Sequence, residues 1–488
     1  MVSELEGPRF RPPAVLGPWR WVTRVLLTGL APVGCFFIIA APSYLGWPFL
    51  REQYYGIILA IVLPCVFILV PPTKRLVRVL PWFDILLAIA GFGIGMYVAV
   101  LYPQILRLLG IITPDRVIMG TIAILLVLEA VRRFTGWILP ILGVLFILYA
   151  RFSWIVPGVM GGDGIPWPKL ANSLLLGTQA LLGVPMEVTA VTVLPFILFG
   201  SFLFCAGGGA FLTDFAMSVF GRFRGGPAKM AVVSSSLFGT ISGSAVANVT
   251  VDGVVTIPMM KKTGYKAHVA AAIEATASTG GQIMPPVMGA AAFLIPQYTG
   301  IPYSSVALAA FIPALLYYIG IFVQVDLEAG KMGIKGLPSS QLPPMRGVLK
   351  QSYLFVVPLA VLVYALFIMA LDPGKAALLG TAAILFVSLY RRETRNLSWV
   401  VKALADTGRG LLELTVVVAM AGFIIGVITS TGLGFLFPLF LGRLAMGNVY
   451  LLLLITAVAA LILGMGMPTV AVYVLVAVML APALVEMG

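Results

Sequence analysis

Apolar runs about 20 residues long, the length at which a helix crosses a bilayer core, recur along almost the entire chain. They fall at about 22–42, 53–71, 81–103, 116–132 and 136–152, then 187–205, 305–325, 351–371, 376–390 and 407–430. With 60% of its 488 residues hydrophobic, 10% charged and a mean hydropathy of +1.07, the chain has too little polar surface to close such runs into a soluble fold. It reads as an all-α polytopic membrane protein. The net charge of +13 is no nucleic-acid signal, because the basic residues collect between apolar runs, as they do in cytoplasmic loops. Lys74, Arg75 and Arg78, then Arg132 and Arg133, mark one side. Later loops at 326–350 and 391–402 (Arg391, Arg392, Arg395, Lys402) repeat the pattern, whereas Arg51 with Glu52 and Asp115 with Arg116 are balanced. This bias puts the N-terminus inside. Residues 1–20, polar and Pro-rich with Arg9, Arg11 and Arg20, read as an unstructured cytoplasmic arm. Cys35, Cys65 and Cys205 lie in apolar stretches and read as inert packing residues.

Polar breaks interrupt this pattern. The first is Thr240-Ile241-Ser242-Gly243-Ser244-Ala245-Val246-Ala247-Asn248. Backbone groups freed from a helix in hydrocarbon cost several kcal/mol each unless protein or water satisfies them. Two half-helix ends facing an ion or a small polar ligand are one solution. Ser244, Asn248 and Asp252 are spaced four apart and form one stripe, whose N-terminal end suits an anion. The alternative is a Ser/Gly packing surface that only lets backbones approach. Arg222, Arg224 and Lys229 precede the break, and Lys261, Lys262 and Lys266 follow it. The roughly 30 apolar residues between are too few for two full spans at about 1.5 Å per residue. The segment therefore reads as a re-entrant helical hairpin with its turn near the midplane.

A second break, Ser278-Thr279-Gly280-Gly281-Gln282 followed by Pro285-Pro286, interrupts an apolar segment at 267–296. A third is Gly464-Met465-Gly466-Met467-Pro468-Thr469. The first and third belong to an internal repeat. Gly221-Arg222 recurs as Gly442-Arg443, and the same offset pairs Gly226 with Gly447, Gly243 with Gly464 and Asn248 with Thr469. After a three-residue slip, Pro258 and Gly264 pair with Pro482 and Gly488. The loop charges give the two units opposite orientation, the mark of an inverted-repeat secondary transporter with two re-entrant hairpins. The first unit continues through Glu274 to Gln324 while the second stops at Gly488. The chain is therefore expected to be a fragment that lacks at least about 60 residues of the second unit.

At Ser242–Asn248, at Ser278-Thr279-Gly280-Gly281-Gln282-Ile283-Met284-Pro285-Pro286-Val287-Met288-Gly289 and at Gly464–Thr469, the chain resembles the TRAP transporter permeases. It looks most like the fused small-plus-large permeases of the TAXI branch, with 1–170 as the small-subunit-like membrane region and 171–488 as a large-subunit-like transport region. The resemblance implies an elevator-type carrier in a bacterial or archaeal inner membrane. An extracytoplasmic (periplasmic) binding protein would deliver a small organic acid, and a cation gradient would drive its import. By motif position, Ser242, Gly243, Ser244 and Asn248 would line one cation site together with Ser278, Thr279 and Gly280. Gly464, Gly466, Pro468 and Thr469 would line part of a second. Substrate would lie between the hairpin tips, with Ser244, Asn248, Gln282, Pro285, Pro286 and Thr469 as its contacts. Asp252 departs from the family pattern, where a small neutral or hydroxyl residue is expected.

The coupling ion implied is Na⁺, which suits the carbonyls and hydroxyls of broken helices. Coupling to H⁺ would need a titratable group, for which Asp252 and Glu274 are the candidates. The blander readings place Asp252 near the hairpin's mouth and pair Glu274 with Lys266 or His268. Glu129 beside Arg132 and Arg133 reads as a helix-end ion pair. No cofactor is expected. An enzyme is disfavoured by a single His and no metal-ligand or Ser–His spacing. An ATP motor is disfavoured by the lack of a GxxxxGK[ST] loop, and a channel by paired broken-helix pockets. A stand-alone cation–dicarboxylate carrier shares re-entrant hairpins and is the alternative within transport.

Overall fold

The computed structural model describes residues 10–47, 49–108, 110–391, 394 and 396–486. Arg9, Arg392, Arg395 and Gly488, used above, lie outside the described residues. In order, the main helices are α1 (Trp19–Ile38), α2 (Arg51–Leu69), α3 (Trp82–Arg107), α4 (Pro114–Thr135), α5 (Ile138–Phe152), α6 (Trp167–Leu176) and α7 (Val184–Cys205). Then come α8 (Gly208–Phe220), α9 (Gly226–Ser242), α10 (Ala245–Lys262), α11 (Ala267–Gly280), α12 (Tyr303–Lys331), α13 (Tyr353–Ile368) and α14 (Pro373–Ser388). The last are α15 (Ser398–Thr431), α16 (Leu433–Leu444), α17 (Val449–Gly464) and α18 (Thr469–Glu486). Among the described residues, eight helices are long and apolar enough to cross a membrane, or up to ten if each of two bent pairs is one span. The chain is an all-helical polytopic membrane protein.

Contacts divide it into two compact units, residues 1–191 with 408–488 and residues 192–407. In the first unit, α2 is buried on nearly every side. Its partner α3 meets it through small residues: a methyl carbon on Gly91 would lie 2.7 Å from the Leu63 Cβ, and one on Gly56 would lie 2.6 Å from the Ala99 nitrogen. Small residues are how helices approach closely where lipid is as apolar as any side chain.

The arm before α1 differs from expectation. Residues 13–16 form a helical turn, and Arg11, instead of lying in solvent, is buried against the end of α2. Its guanidinium donates to the Phe67 and Ile68 carbonyls at 3.0 and 2.8 Å and pairs with Asp84 at the start of α3. Arg133 donates to the other Asp84 oxygen at 2.6 Å and to Glu129 at 2.9 Å, and Arg132 also holds Glu129. The expected helix-end pair is thus one part of a five-residue network. Burying an arginine takes a carboxylate and free carbonyls together, and only the fold brings those to Arg11.

In the second unit, α9 and α10 lie side by side and α11 packs on both. The element order α8–α9–break–α10 recurs in the first unit as α16–α17–break–α18, with nearly constant spacing along the chain. The matched glycines do not coincide in detail, since Gly243 is the turn itself and Gly464 is the last residue of α17.

Candidate functional site

Within the second unit the site is built around one turn. α9 ends at Ser242, Gly243 takes a left-handed conformation (φ +56°), and extended Ser244 caps α10 by accepting from the Ala247 N–H at 3.3 Å. Left-handed backbone costs a residue with a Cβ about 1–2 kcal/mol, which is one reason for glycine. Contact is the other: a methyl carbon on Gly243 would lie 2.5 Å from the Met288 carbonyl carbon. The turn therefore rests directly on the segment after α11.

That segment, 281–289, has no helix, in line with the second break read from sequence. Carbonyls of this segment and of the last turns of α11 accept from hydroxyls on α12. Tyr303 donates to Pro286 and Val287 at 2.9 and 2.7 Å, Tyr318 to Ala277 at 3.0 Å, and Tyr317 to Thr276 at 2.8 Å. The Gly289 N–H closes the loop on the Gln282 carbonyl at 2.7 Å. Non-helical backbone in apolar surroundings persists where protein satisfies it, and Tyr303 does so for two carbonyls of this segment.

Below the turn lies a buried polar cluster. Asp252 and Glu274 are 1% and 0% exposed. Ser234 and Thr213 donate to one Asp252 oxygen at 2.8 and 3.3 Å, and Ser235 donates to the other at 3.3 Å. Thr256 donates to Glu274 at 2.5 Å and Ser278 does so at 3.1 Å. Neither carboxylate has a basic partner among the described residues; Lys266 and His268 are exposed. The readings of Asp252 at the hairpin's mouth and of Glu274 paired with Lys266 or His268 are therefore corrected: hydroxyls of α8 and α9 hold Asp252, and hydroxyls of α10 and of α11 itself hold Glu274.

Asn248 is fully buried and donates through Nδ2 to the Ser235 carbonyl at 3.0 Å. Its Oδ1 and the Ser242 Oγ are buried with no hydrogen-bond partner among the described residues. The stripe read from sequence holds for Asn248 and Asp252, whereas Ser244 is exposed and occupied with capping. Ser278 turns its hydroxyl into the Glu274 carboxylate; Thr279 is exposed and donates to the Ala275 carbonyl. Gly280 lies where a methyl carbon would press on the rings of Tyr317 and Tyr318. Gln282 and Pro285 are half-buried and Pro286 is buried, all in the break that touches the Gly243 turn.

The third break belongs to the first unit and is simpler. α17 ends at Gly464, Met465 and Gly466 turn the chain, and Pro468 precedes α18. Gly466 packs against the Ile138 side chain, Gly464 has open space around it, and Thr469 is exposed with no side-chain hydrogen bond among the described residues.

Sequence reasoning passed over Ser234, Ser235, Thr213, Thr256 and Tyr303. A signal for one of them was present, since Ser234 and the candidate Asp252 stand at mirrored positions about Gly243. Folding the arms together at that glycine brings the two side by side.

The model of the family described as "Tripartite ATP-independent periplasmic transporter, DctM component" matches residues 122–488. The chain is 25% identical over 293 residues to the C4-dicarboxylate TRAP transporter large permease protein DctM of Pseudomonas aeruginosa, covering 60% of this chain and 68% of that protein. It is 26% identical over 253 residues to the sialic acid TRAP transporter large permease protein SiaM of Vibrio cholerae, covering 51% and 58%. It is 25% identical over 280 residues to the sialic acid TRAP transporter permease protein SiaT of Haemophilus influenzae, covering 56% and 42%. The chain thus spans about two thirds or less of the length of these relatives. The matched region takes in the hydroxyl-lined break, its supporting carboxylates and the third break alike, and the chain belongs to the DctM component family of the tripartite ATP-independent periplasmic transporters.

Proposed function

We propose that this chain is the permease of a binding-protein-dependent importer, moving a small organic acid inward across the cytoplasmic membrane at the expense of a cation gradient. The observation that carries the coupling reading is the pair of buried, unpartnered oxygens, Ser242 Oγ and Asn248 Oδ1, beside a helix break. Buried polar atoms without partners are rare and costly, and hard cations take oxygen ligands. Na⁺ held by Ser242, Asn248 and carbonyls around Gly243 and Ser278–Gly280, the latter through lone pairs left beside their backbone hydrogen bonds, would satisfy both oxygens. In the same reading Gly464, Gly466, Pro468 and Thr469 contribute to a second cation site, and Ser244, Gln282, Pro285 and Pro286 meet the substrate carboxylate. H⁺ coupling through Asp252 and Glu274 is the other outcome. The wider reading has a small-subunit-like region at 1–170 fused to a transport region at 171–488, of the TAXI branch. Its two re-entrant hairpins belong to inverted repeats working as an elevator, with the N-terminus in the cytoplasm.

The test is uptake by the full-length permease in proteoliposomes, with its binding protein and labelled mono- and dicarboxylates outside, under separate Na⁺ and pH gradients. Uptake should require the binding protein and follow Na⁺. Asn248→Ala and Thr469→Ala should weaken its Na⁺ dependence while leaving the protein folded. Unchanged Na⁺ dependence in both variants removes the site assignment. Equal uptake without the binding protein points to a stand-alone cation–dicarboxylate carrier.

A further inference from the structure

We infer that α4 and α5 form a seat for one anionic phospholipid, its phosphate over Arg132 and an acyl chain in the groove between the helices. Gly136 and Trp137 join the two helices, which fold back beside each other and leave a groove of about 330 Å³. The groove is graded along its length. Glu129, Arg132 and Trp137 stand at the end where the helices join, while Leu125 and Leu128 on one wall and Ile141 and Leu145 on the other make the rest. From Arg132 to Leu125 is about 10 Å at 1.5 Å per residue, the step from headgroup level into hydrocarbon. Leu125, Ile141 and Leu145 are 61%, 52% and 57% exposed, and in a membrane protein that surface meets lipid.

Charge selects which lipid. Arg132 has five N–H donors. It directs Nε and Nη2 to Glu129 at 2.7 and 2.8 Å and Nη1 to the Pro72 carbonyl at 3.3 Å. Two donors are left over. Its guanidinium stands 5.2 Å from the Trp137 ring centroid, and Trp137 is itself exposed, as aromatic residues are at the membrane interface. The charges behind it do not cancel, because Arg11, Arg132 and Arg133 share only Asp84 and Glu129. Pro72 opens the connection that carries Arg75 and Arg78, both exposed and without an acidic partner among the described residues. A net positive, donor-rich end on an apolar groove fits a phosphate on an acyl chain. Basic pockets between membrane helices bind acidic headgroups in this way.

The experiment is native mass spectrometry of the detergent-solubilised full-length protein titrated with phosphatidylglycerol or with phosphatidylcholine of the same chains. Phosphatidylglycerol should be retained at roughly fivefold lower concentration for each unopposed arginine in reach. Arg132→Gln should remove most of that preference, and Arg75→Gln with Arg78→Gln the remainder. Leu128→Trp and, separately, Ile141→Trp should fill the groove and abolish retention of both lipids at this seat without lowering the melting temperature. The inference is overturned if both lipids are retained equally or if the groove-filling variants keep the wild-type preference. Displacement of phosphatidylglycerol by millimolar inorganic phosphate alone would also overturn it, since the seat would then be a free-phosphate site.

Discussion

Gly243→Ala tests whether the break after α9 is a built turn that needs its neighbours. Two costs can be worked out. The left-handed backbone at φ +56° costs an L-residue about 1–2 kcal/mol. The added carbon would also lie 2.5 Å from the Met288 carbonyl carbon and 3.1 Å from the Gly289 nitrogen, overlapping the Met288 oxygen. Carbon atoms rest at about 3.5–4.0 Å, so the turn must retreat by about 1 Å from 281–289. Overpacking of this kind costs about 1–3 kcal/mol, which brings the sum to about 2–5 kcal/mol. Gly300→Ala supplies the control. Gly300 has φ +72° and nothing within 4 Å, so its substitution carries the backbone cost alone. The comparison is the thermal unfolding of both variants in one detergent, with inactivation half-lives beside it because large membrane proteins unfold irreversibly. Gly243→Ala should be the less stable by about 1–3 kcal/mol. The ratio of molecules with the turn in place to those without it falls roughly tenfold for each 1.4 kcal/mol, and reconstituted uptake should fall once the displaced state is appreciably populated. If Gly243→Ala matches Gly300→Ala in both measurements, the turn does not rest on Met288 and the site as described is wrong.

Other substitutions separate the buried networks. Asp84→Ala leaves Arg11 with backbone carbonyls alone and should cost about 3–5 kcal/mol, as broken buried pairs do; Arg11→Met should cost less, because Asp84 keeps Arg133. Thermal unfolding ranks the two, and the reverse order would mean that the carboxylate does not organise the network. Tyr303→Phe keeps the ring against Phe293, at 4.7 Å between centroids, but strips two carbonyls of their donor. A loss of about 1–3 kcal/mol is expected, together with faster protease cleavage within 281–289. An unchanged melting temperature and cleavage rate would show that those carbonyls have another donor.

The helices were legible because lipid imposes one rule, apolar runs of bilayer length, and α1, α2, α3 and α5 follow it closely, whereas α4 carries too many charges to meet it. The breaks were legible for the opposite reason, since Ser, Gly and Pro inside such runs have no place in an uninterrupted span. What escaped the sequence was partnership. Arg11 has the composition of a solvated arm and is buried only because Asp84, distant along the chain, meets it at the end of α2. Glu274 has Lys266 and His268 nearby in sequence, yet its partners are Thr256 and Ser278. Thr256 lies on another helix, one turn beyond Asp252, and no pattern within α11 announces it. Thr469 shows the converse, for its place in the repeat suggested a site, but it is exposed and makes no side-chain hydrogen bond among the described residues.

The placement of hydroxyls around Asp252 has a physical reason in this solvent. Lipid tails are as apolar as leucine, so hydrophobic contact cannot by itself hold α9 beside α10 in preference to any other neighbour. Hydrogen bonds can, and they discriminate by register: Ser234 and Ser235 reach Asp252 only if the arms fold at Gly243 and pair antiparallel. A slip of one residue would turn these hydroxyls off the shared face and leave a buried carboxylate with fewer donors, at a cost of about 1–3 kcal/mol or more for each lost bond. The cluster therefore specifies the hairpin's register, and with it the position of every residue at the turn. Other buried atoms, such as Tyr265 Oη and Thr415 Oγ1, also lack partners among the described residues, but Ser242 Oγ and Asn248 Oδ1 are the two that lie beside this turn. A fold that finds three donors for Asp252 and two for Glu274 leaves these two oxygens bare where the helix breaks, and it is on them that the proposed Na⁺ site rests.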